Sequence, residues 1–207
     1  METFVIIFIV VIISLTFHEA MHAYVGYWLG DDTAKAHGRL SFNPIKHIDP
    51  YLTILLPLIL ALAGMPIFGG AKPVPFNPNN IRYGEWGAAL IAIAGPLINF
   101  VMAFVFYGLW TLVNPSQGSL LYIFFGQAVS VNLAFCVFNL IPIPPLDGSR
   151  LLYALAPDFA RKIMEYLEQF GIVIVFLILA VAGPAVGGYM ESAIYFFFDI
   201  FKSVFGA

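Results

Sequence analysis

Long apolar runs separated by short polar loops dominate the hydropathy pattern of the chain. Residues 4–29, 87–113 and 120–141 are each long enough to cross a bilayer core, which needs about 20 helical residues. Residues 171–186 are apolar as well, and the tail 191–207 is predicted to form a short span or an interfacial helix. The pattern predicts an all-α polytopic membrane protein with about five to six transmembrane helices.

The composition agrees with a membrane protein of one domain. Hydrophobic residues make up 61% of the chain and charged residues only 10%, whereas soluble domains carry about 25% charged residues. The net charge of −3, without a basic run, excludes a nucleic-acid partner. The single cysteine, Cys136, excludes an internal disulfide and a cysteine-based zinc cluster. We expect one membrane domain over 1–207, with a core at 4–157 and C-terminal helices at 158–207.

Two histidines and a glutamate interrupt the first apolar run. His18, Glu19 and His22 form the sequence HEAMH, and the spacing of four places both imidazoles on one helix face, where they can hold one zinc ion. An ionised group at the centre of a membrane helix costs roughly 2.5–3.5 kcal/mol, so three polar groups within five residues need compensation. The pattern predicts a zinc site in which Glu19 takes a proton from a bound water.

A third protein ligand is expected, because zinc hydrolases usually hold the metal with three protein ligands and a water. Asp147 follows the span 120–141 within NLIPIPPLDG, whose prolines end the helix, so that its carboxylate can point toward the metal. Its alternative role is the N-cap of the next helix, and the two roles are compatible. The remaining candidates in loops are predicted to cap helices or to lie at the interface: Asp31, Asp32, His37, His47, Asp49 and Glu85.

A shared site fixes the direction of the spans. The histidines lie toward the C-terminal end of the first span and Asp147 follows the C-terminal end of the span 120–141, so these two spans must run in parallel. Two apolar segments separate them, and one of these therefore cannot cross. We select 51–68, which is short and broken by proline, and predict a re-entrant or extended membrane-associated segment near 51–80.

The distribution of basic residues assigns the sides of the membrane. With 51–68 re-entrant, one side carries the basic loops and the other carries the uncharged turn NPSQG. The positive-inside rule makes the basic side cytoplasmic, which places the active site of this multi-pass cell-membrane protein nearer the cytoplasm. The basic residues of that side are Lys35, Arg39, Lys46, Lys72, Arg82, Arg150, Arg161 and Lys162.

These paired motifs resemble the site-2 protease family of zinc intramembrane metalloproteases. HEAMH and NLIPIPPLDG carry the resemblance, and GRLSFNPIKHIDP, AKPVPFNP and AGPLIN make the chain similar to the compact prokaryotic branch without PDZ or CBS domains. The resemblance implies that His18, His22 and Asp147 bind one Zn²⁺ per chain and that Glu19 is the catalytic acid and base.

The resemblance also implies two residues near the substrate. Asn139 matches the motif asparagine, which binds substrate or supports the oxyanion, and Asn99 matches the polar residue of the G-P-x-x-N segment, with packing as an alternative role. A helical substrate must unwind before its amide can be attacked. We predict that the extended segment that includes Lys72, Pro73 and Val74 pairs with the unwound substrate by strand addition.

The predicted function is therefore zinc-dependent hydrolysis of peptide bonds in or near transmembrane segments, with a membrane protein or peptide as substrate and the lipid bilayer as surroundings. Two other functions are compatible with a buried metal site, namely metal binding or transport, and an inactive scaffold that binds membrane helices. Transport needs a polar path across the bilayer, and the first half of the first span offers little besides Ser14.

Overall fold

The predicted all-α class is confirmed in a computed structural model, which describes residues 2–62 and 69–206 and assigns no strand within them. The chain forms eight α-helices over these residues, with short 3₁₀ and π-helical turns between them. The α-helices are α1 Glu2–Trp28, α2 Thr33–Ala36, α3 Leu56–Leu62, α4 Gly84–Val113, α5 Leu120–Asn139, α6 Gly148–Leu155, α7 Asp158–Glu168 and α8 Gly171–Phe205.

Four helices in the described ranges are long and apolar enough to cross a membrane, which agrees with a multi-pass membrane protein. They are α1, α4, α5 and the part of α8 from Val173 to Phe205. The expected number of five to six spans is not confirmed. The difference lies at the C-terminus, where 171–186 and the tail as far as Phe205 belong to one 35-residue helix that contains Pro184. Apolar helices accommodate proline more readily than soluble ones do, because the freed backbone groups can be satisfied again locally.

Helix α4 is the centre of the bundle and packs against α1, α5 and α6. Its buried face consists largely of glycine and alanine, which let neighbouring helix backbones approach closely. Farther along α4, Ala103 and Tyr107 meet Val129 and Leu133 of α5 and Phe201 of α8 in a buried cluster surrounded by aromatic rings. This cluster ties α8 to the α4–α5 pair.

The C-terminal end of α1 and the N-terminal end of α4 lie at the same end of the bundle. Asp31 joins them, because its buried carboxylate accepts hydrogen bonds from the side chain and the backbone N–H of Thr33 and from the N–H of Asn77 at 2.8 Å. Burial raises the pKa of Asp31, but these hydrogen bonds outweigh it and hold the pKa below its ordinary value. The Arg82 N–H also bonds the Leu29 carbonyl at 2.9 Å.

Helix α4 therefore runs antiparallel to α1. Helix α5 follows α4 after a short turn and runs back along it, so α1 and α5 are parallel, as the shared site requires.

The segment after α2 turns back on itself. A π-helical turn at Pro50–Leu55 leads into α3, and on the return the Gly70 N–H bonds the Leu52 carbonyl at 3.1 Å. The hydroxyl of Thr53 bonds the Gly70 carbonyl at 2.7 Å. After α3 the chain thus returns to residues 52 and 53, which agrees with a re-entrant course. The predicted segment near 51–80 includes residues 63–68, which lie outside the described residues.

Candidate metal centre

The two histidines of α1 are held by acceptors on α4. His18 Nδ1 lies 2.6 Å from Asn99 Oδ1, and His22 Nδ1 lies 2.7 Å from the carbonyl oxygen of Ile91. Both oxygens can only accept, so each Nδ1 carries the proton and donates it. Each Nε2 is left with a lone pair, which is the form of imidazole that binds a metal.

The loop between α5 and α6 brings a carboxylate to the same point. Asp147 Oδ2 lies 3.1 Å from His18 Nε2 and 3.4 Å from His22 Nε2. The three ligand atoms lie within 4.8 Å of one another. Gly148 makes this approach possible, because a Cβ at that position would lie 2.3 Å from the carbonyl oxygen of Leu140. The alternative role predicted for Asp147, a side-chain N-cap of α6, is not observed, since its side chain makes no capping hydrogen bond to that helix.

These atoms fit a divalent cation. The two Nε2 atoms have lone pairs, and Asp147 Oδ2 is buried without a hydrogen-bond donor among the described residues. Three acceptor atoms facing one another repel unless a cation lies between them. Two neutral imidazoles and one carboxylate are a donor set that zinc hydrolases use.

Gly95 of α4 forms the wall of this centre. A Cβ at this position would lie 2.4 Å from His22 Nε2 and 2.6 Å from His18 Nε2, so that the smallest side chain would occupy the space at the ligand atoms. No glycine role at 95 was predicted from the sequence. The packing of α1 against α4 requires a residue without a side chain there.

Asn99 belongs to a buried amide chain behind His18. Its Nδ2 donates to the Asn132 side-chain oxygen at 2.9 Å and to the Ser14 carbonyl at 3.2 Å, and Asn132 donates to the Ala128 carbonyl at 2.8 Å. Asn99 and Asn132 are fully buried. The geometry therefore favours orientation of His18 over the substrate contact that we predicted for Asn99. Sequence reasoning missed Asn132, although an asparagine within an apolar span is itself a signal.

Replacing Asn99 by leucine should weaken metal binding about 10- to 100-fold, because an oriented imidazole loses the acceptor that fixes its tautomer. The measurement is zinc affinity by competition with a chromogenic chelator. Val101→Leu, an exposed change on the same helix, is the control and should keep the parental affinity. Unchanged affinity in Asn99→Leu would show that the amide does not orient His18.

A cavity of about 220 Å³ opens beside the ligand atoms. Glu19 and Asn139 both line it, and the Asn139 amide nitrogen donates to the Phe135 carbonyl at 3.0 Å. Residues of α1, α5 and α8 line it, together with Pro145 and Leu146 from the loop between α5 and α6 and with residues 69–71, which follow α3. A proton acceptor and an amide therefore line the same cavity as the ligand His18.

The extended segment that is predicted to pair with substrate reaches the cavity through the residues just before Lys72. Lys72, Pro73 and Val74 are absent from the cavity lining, which instead includes Gly69, Gly70 and Ala71. The backbone gives the reason. The N–H groups of Gly70 and Lys72 bond the carbonyls of Leu52 and His47, so the residue between them, Ala71, faces the other way.

The other loop candidates stay away from the ligand atoms. Asp49 caps the π-helical turn by accepting from the N–H groups of Tyr51 and Leu52. His37 is exposed and bonds the Thr33 carbonyl. His47 was predicted to lie at the interface but is buried, and its Nε2 lies 2.7 Å from the Ser41 carbonyl. Burial follows from the packing of the returning segment over it.

Comparison with known proteins assigns the family. Residues 113–183 match the family model described as peptidase family M50. The chain is 42% identical over 180 residues to "Putative zinc metalloprotease YwhC" of Bacillus subtilis, covering 84% of this chain and 78% of the relative. The chain belongs to peptidase family M50. The predicted resemblance to site-2 proteases is thereby confirmed.

Two further relatives of this M50 chain extend over nearly its whole length. "Putative zinc metalloprotease Rip2" of Mycolicibacterium smegmatis is 30% identical, covering 95% of this chain and 76% of the relative. "Zinc metalloprotease MJ0392" of Methanocaldococcus jannaschii is 26% identical, covering 96% of this chain and 53% of the relative. No solved structure matches this M50 chain.

Proposed function

We propose that this M50 metalloprotease is a zinc-dependent endopeptidase that cleaves peptide bonds in or near transmembrane segments of membrane proteins. The observation that carries the proposal is that His18, His22 and Asp147 each offer a ligand atom at one place, beside a cavity that Glu19 lines. The names of the relatives, which specify zinc metalloproteases, support zinc as the metal.

The chain supplies the binding and the proton transfer. His18, His22 and Asp147 would hold the ion, and zinc bound there lowers the pKa of a coordinated water and polarises the scissile carbonyl. Glu19 accepts a proton from the attacking water as the new C–O bond forms. The same carboxyl group then donates this proton to the amide nitrogen as the C–N bond breaks. Asn139, which lines the same cavity, is positioned to bond the substrate backbone.

The test is cleavage of a model transmembrane substrate by the full chain in lipid nanodiscs, with zinc content measured in the same samples. A chelator should abolish both the bound metal and the cleavage, and added zinc should restore both. Undiminished cleavage in samples shown to be free of metal would exclude the proposal.

The two other functions predicted as alternatives receive less support. A transport path would need free polar groups deeper in the bundle. Asn99 and Asn132 bond each other and neighbouring carbonyls there, and Thr16 bonds the Ile12 carbonyl. The Ser14 hydroxyl is buried without a partner among the described residues, and one hydroxyl does not form a path. An inactive scaffold has no need of a carboxylate beside the ligand atoms, whereas Glu19 lines the cavity.

The backbone of Ala71 is the edge on which we propose that an unwound substrate adds as a strand. Proline at this position removes the one N–H that such a strand would bond, so Ala71→Pro should lower kcat/KM by up to about tenfold, the effect of about 1.5 kcal/mol. The measurement is the steady-state kinetics of substrate cleavage, with zinc content as a check of the metal site. Lys72→Ala, which keeps the backbone N–H and truncates an exposed side chain, is the control. Parental kcat/KM in Ala71→Pro would rule out this edge.

We propose further that the active site lies nearer the cytoplasmic face of the cell membrane. The basic loops at this end of the bundle support this orientation. In a Cys136→Ser background, Lys35→Cys should react with a membrane-impermeant maleimide only after the cells are opened, whereas Gln117→Cys should react in intact cells. Both residues are exposed and lie at opposite ends of the bundle. The reverse labelling pattern would invert the assignment.

A further inference from the structure

Helix α7 presents an apolar stripe that no described part of the chain covers. Phe159, Ile163 and Tyr166 recur at spacings of four and three, so at about 100° per residue they fall within about 60° of arc. Their exposed fractions are 72%, 57% and 62%, and Phe170, just past the end of the helix, is 46% exposed. A helix of a water-soluble protein normally turns such a stripe toward the core.

Polar contacts join α7 to α6. Glu168 pairs with Arg150 of α6, and Arg161 donates to the carbonyls of Tyr153 and Ala154 at 3.1 Å and 3.3 Å. Glu165 accepts a hydrogen bond from the Tyr153 hydroxyl at 2.5 Å. This bond raises the pKa of Tyr153 to about 12, so the phenol remains a donor throughout the physiological pH range.

A third side of α7 carries Asp158 and Lys162, both of them exposed. The helix thus has one side on the protein, one polar exposed side and one apolar exposed side. A boundary between water and an apolar medium satisfies the two exposed sides at once.

The apolar stripe continues into the surface of a membrane span. Phe170 directly precedes α8, whose Val173, Leu177 and Val181 are exposed by 63%, 63% and 79%. This part of α8 belongs to a helix apolar enough to cross a bilayer, so exposed apolar side chains are present both on this span and on α7, which precedes it.

Helix α7 also lies at the end of the bundle where residues typical of a membrane surface are found. Trp28 closes α1 and Trp86 opens α4 at the same end, and both are more than half exposed, as in the aromatic belts of membrane proteins. The guanidinium of Arg150, which pairs with α7, lies 5.6 Å from the ring centroid of Phe76 in the loop before α4.

We propose that α7 is an interfacial helix whose apolar stripe lies in the boundary between lipid headgroups and acyl chains. Its polar side then fixes α6, which begins directly after Asp147, at a constant depth in the membrane. The partner is the lipid surface itself, and the proposal does not depend on the chemistry proposed for the metal centre.

Spin labels on the full chain in lipid nanodiscs test this placement. In a Cys136→Ser background, Phe159→Cys and Ile163→Cys report the apolar side, and Lys162→Cys on the polar exposed side is the matched control. For a stripe buried in the boundary region we expect the ratio of oxygen to nickel-chelate collision rates to be about tenfold higher at 159 and 163 than at 162. If either apolar variant misfolds, Tyr166→Cys reports the same side.

Two outcomes would overturn the proposal. Equal nickel-chelate access at 159, 162 and 163 would place the stripe in water. Exclusion of both reagents, together with dipolar coupling between labels on two chains, would show that a second copy of the chain covers it.

Discussion

Glu19→Gln should lower the rate of peptide cleavage by about 10²- to 10⁴-fold, the contribution expected of a general acid–base group. Glutamine keeps the size of the side chain but cannot take a proton from water. Because Glu19 lines the cavity while His18, His22 and Asp147 offer the ligand atoms, zinc content should stay at the parental level. The measurement is single-turnover cleavage of a transmembrane substrate, with metal analysis of the same protein.

The matched control for this variant is Glu191→Gln, the same chemical change at an exposed position of α8. It should cleave at the parental rate. If Glu19→Gln retained most of the activity, the proton would have to be carried by another group, and the proposed mechanism would be wrong even though the metal site remained.

Gly95→Ala should weaken zinc binding and activity together. The added Cβ would lie 2.4 Å from His22 Nε2, a distance that real Cβ atoms do not show, so either the imidazole or α4 must move. Overpacking of this kind costs about 1–3 kcal/mol, which corresponds to a loss of roughly 5- to 150-fold if it falls on metal affinity. Zinc competition and the thermal midpoint of the purified chain measure how this free-energy cost is divided between metal affinity and the stability of the fold.

Gly26→Ala is the control for the same helix pair. A Cβ there would lie 3.6 Å from Ile91 Cδ1, an ordinary van der Waals contact, so zinc affinity should not change. Parental zinc affinity in Gly95→Ala would mean that the ligand atoms do not converge where the structure has them.

The helices and the meeting of His18, His22 and Asp147 could be predicted because each depends on local pattern or on a simple count of crossings. Apolar run length predicts spans, and the direction of α1 and α5 follows from requiring one site. The residues behind the ligands could not be predicted in the same way. The hydrogen bonds of Asn99 and Asn132 depend on which faces of α1, α4 and α5 pack together. A helix that is apolar on all sides has little periodicity from which these faces could be predicted.

The C-terminal helix and the backbone beside the cavity also depend on more than local residue type. Pro184 and two glycines after it lie inside α8, which continues through them because apolar surroundings let the freed backbone groups be satisfied again locally. The N–H groups of Gly70 and Lys72 make long-range hydrogen bonds, which alternate along the backbone and leave no trace in residue types.

The two acceptors on α4 make the metal centre sensitive to the register of a single helix pair. His18 pairs with Asn99 and His22 with Ile91, so contacts four residues apart on α1 are matched by contacts eight residues apart on its antiparallel neighbour. A slip of α4 by one residue, about 1.5 Å, would detach both rings at once. The two rings therefore face the metal centre together only when α1 and α4 are in this one register.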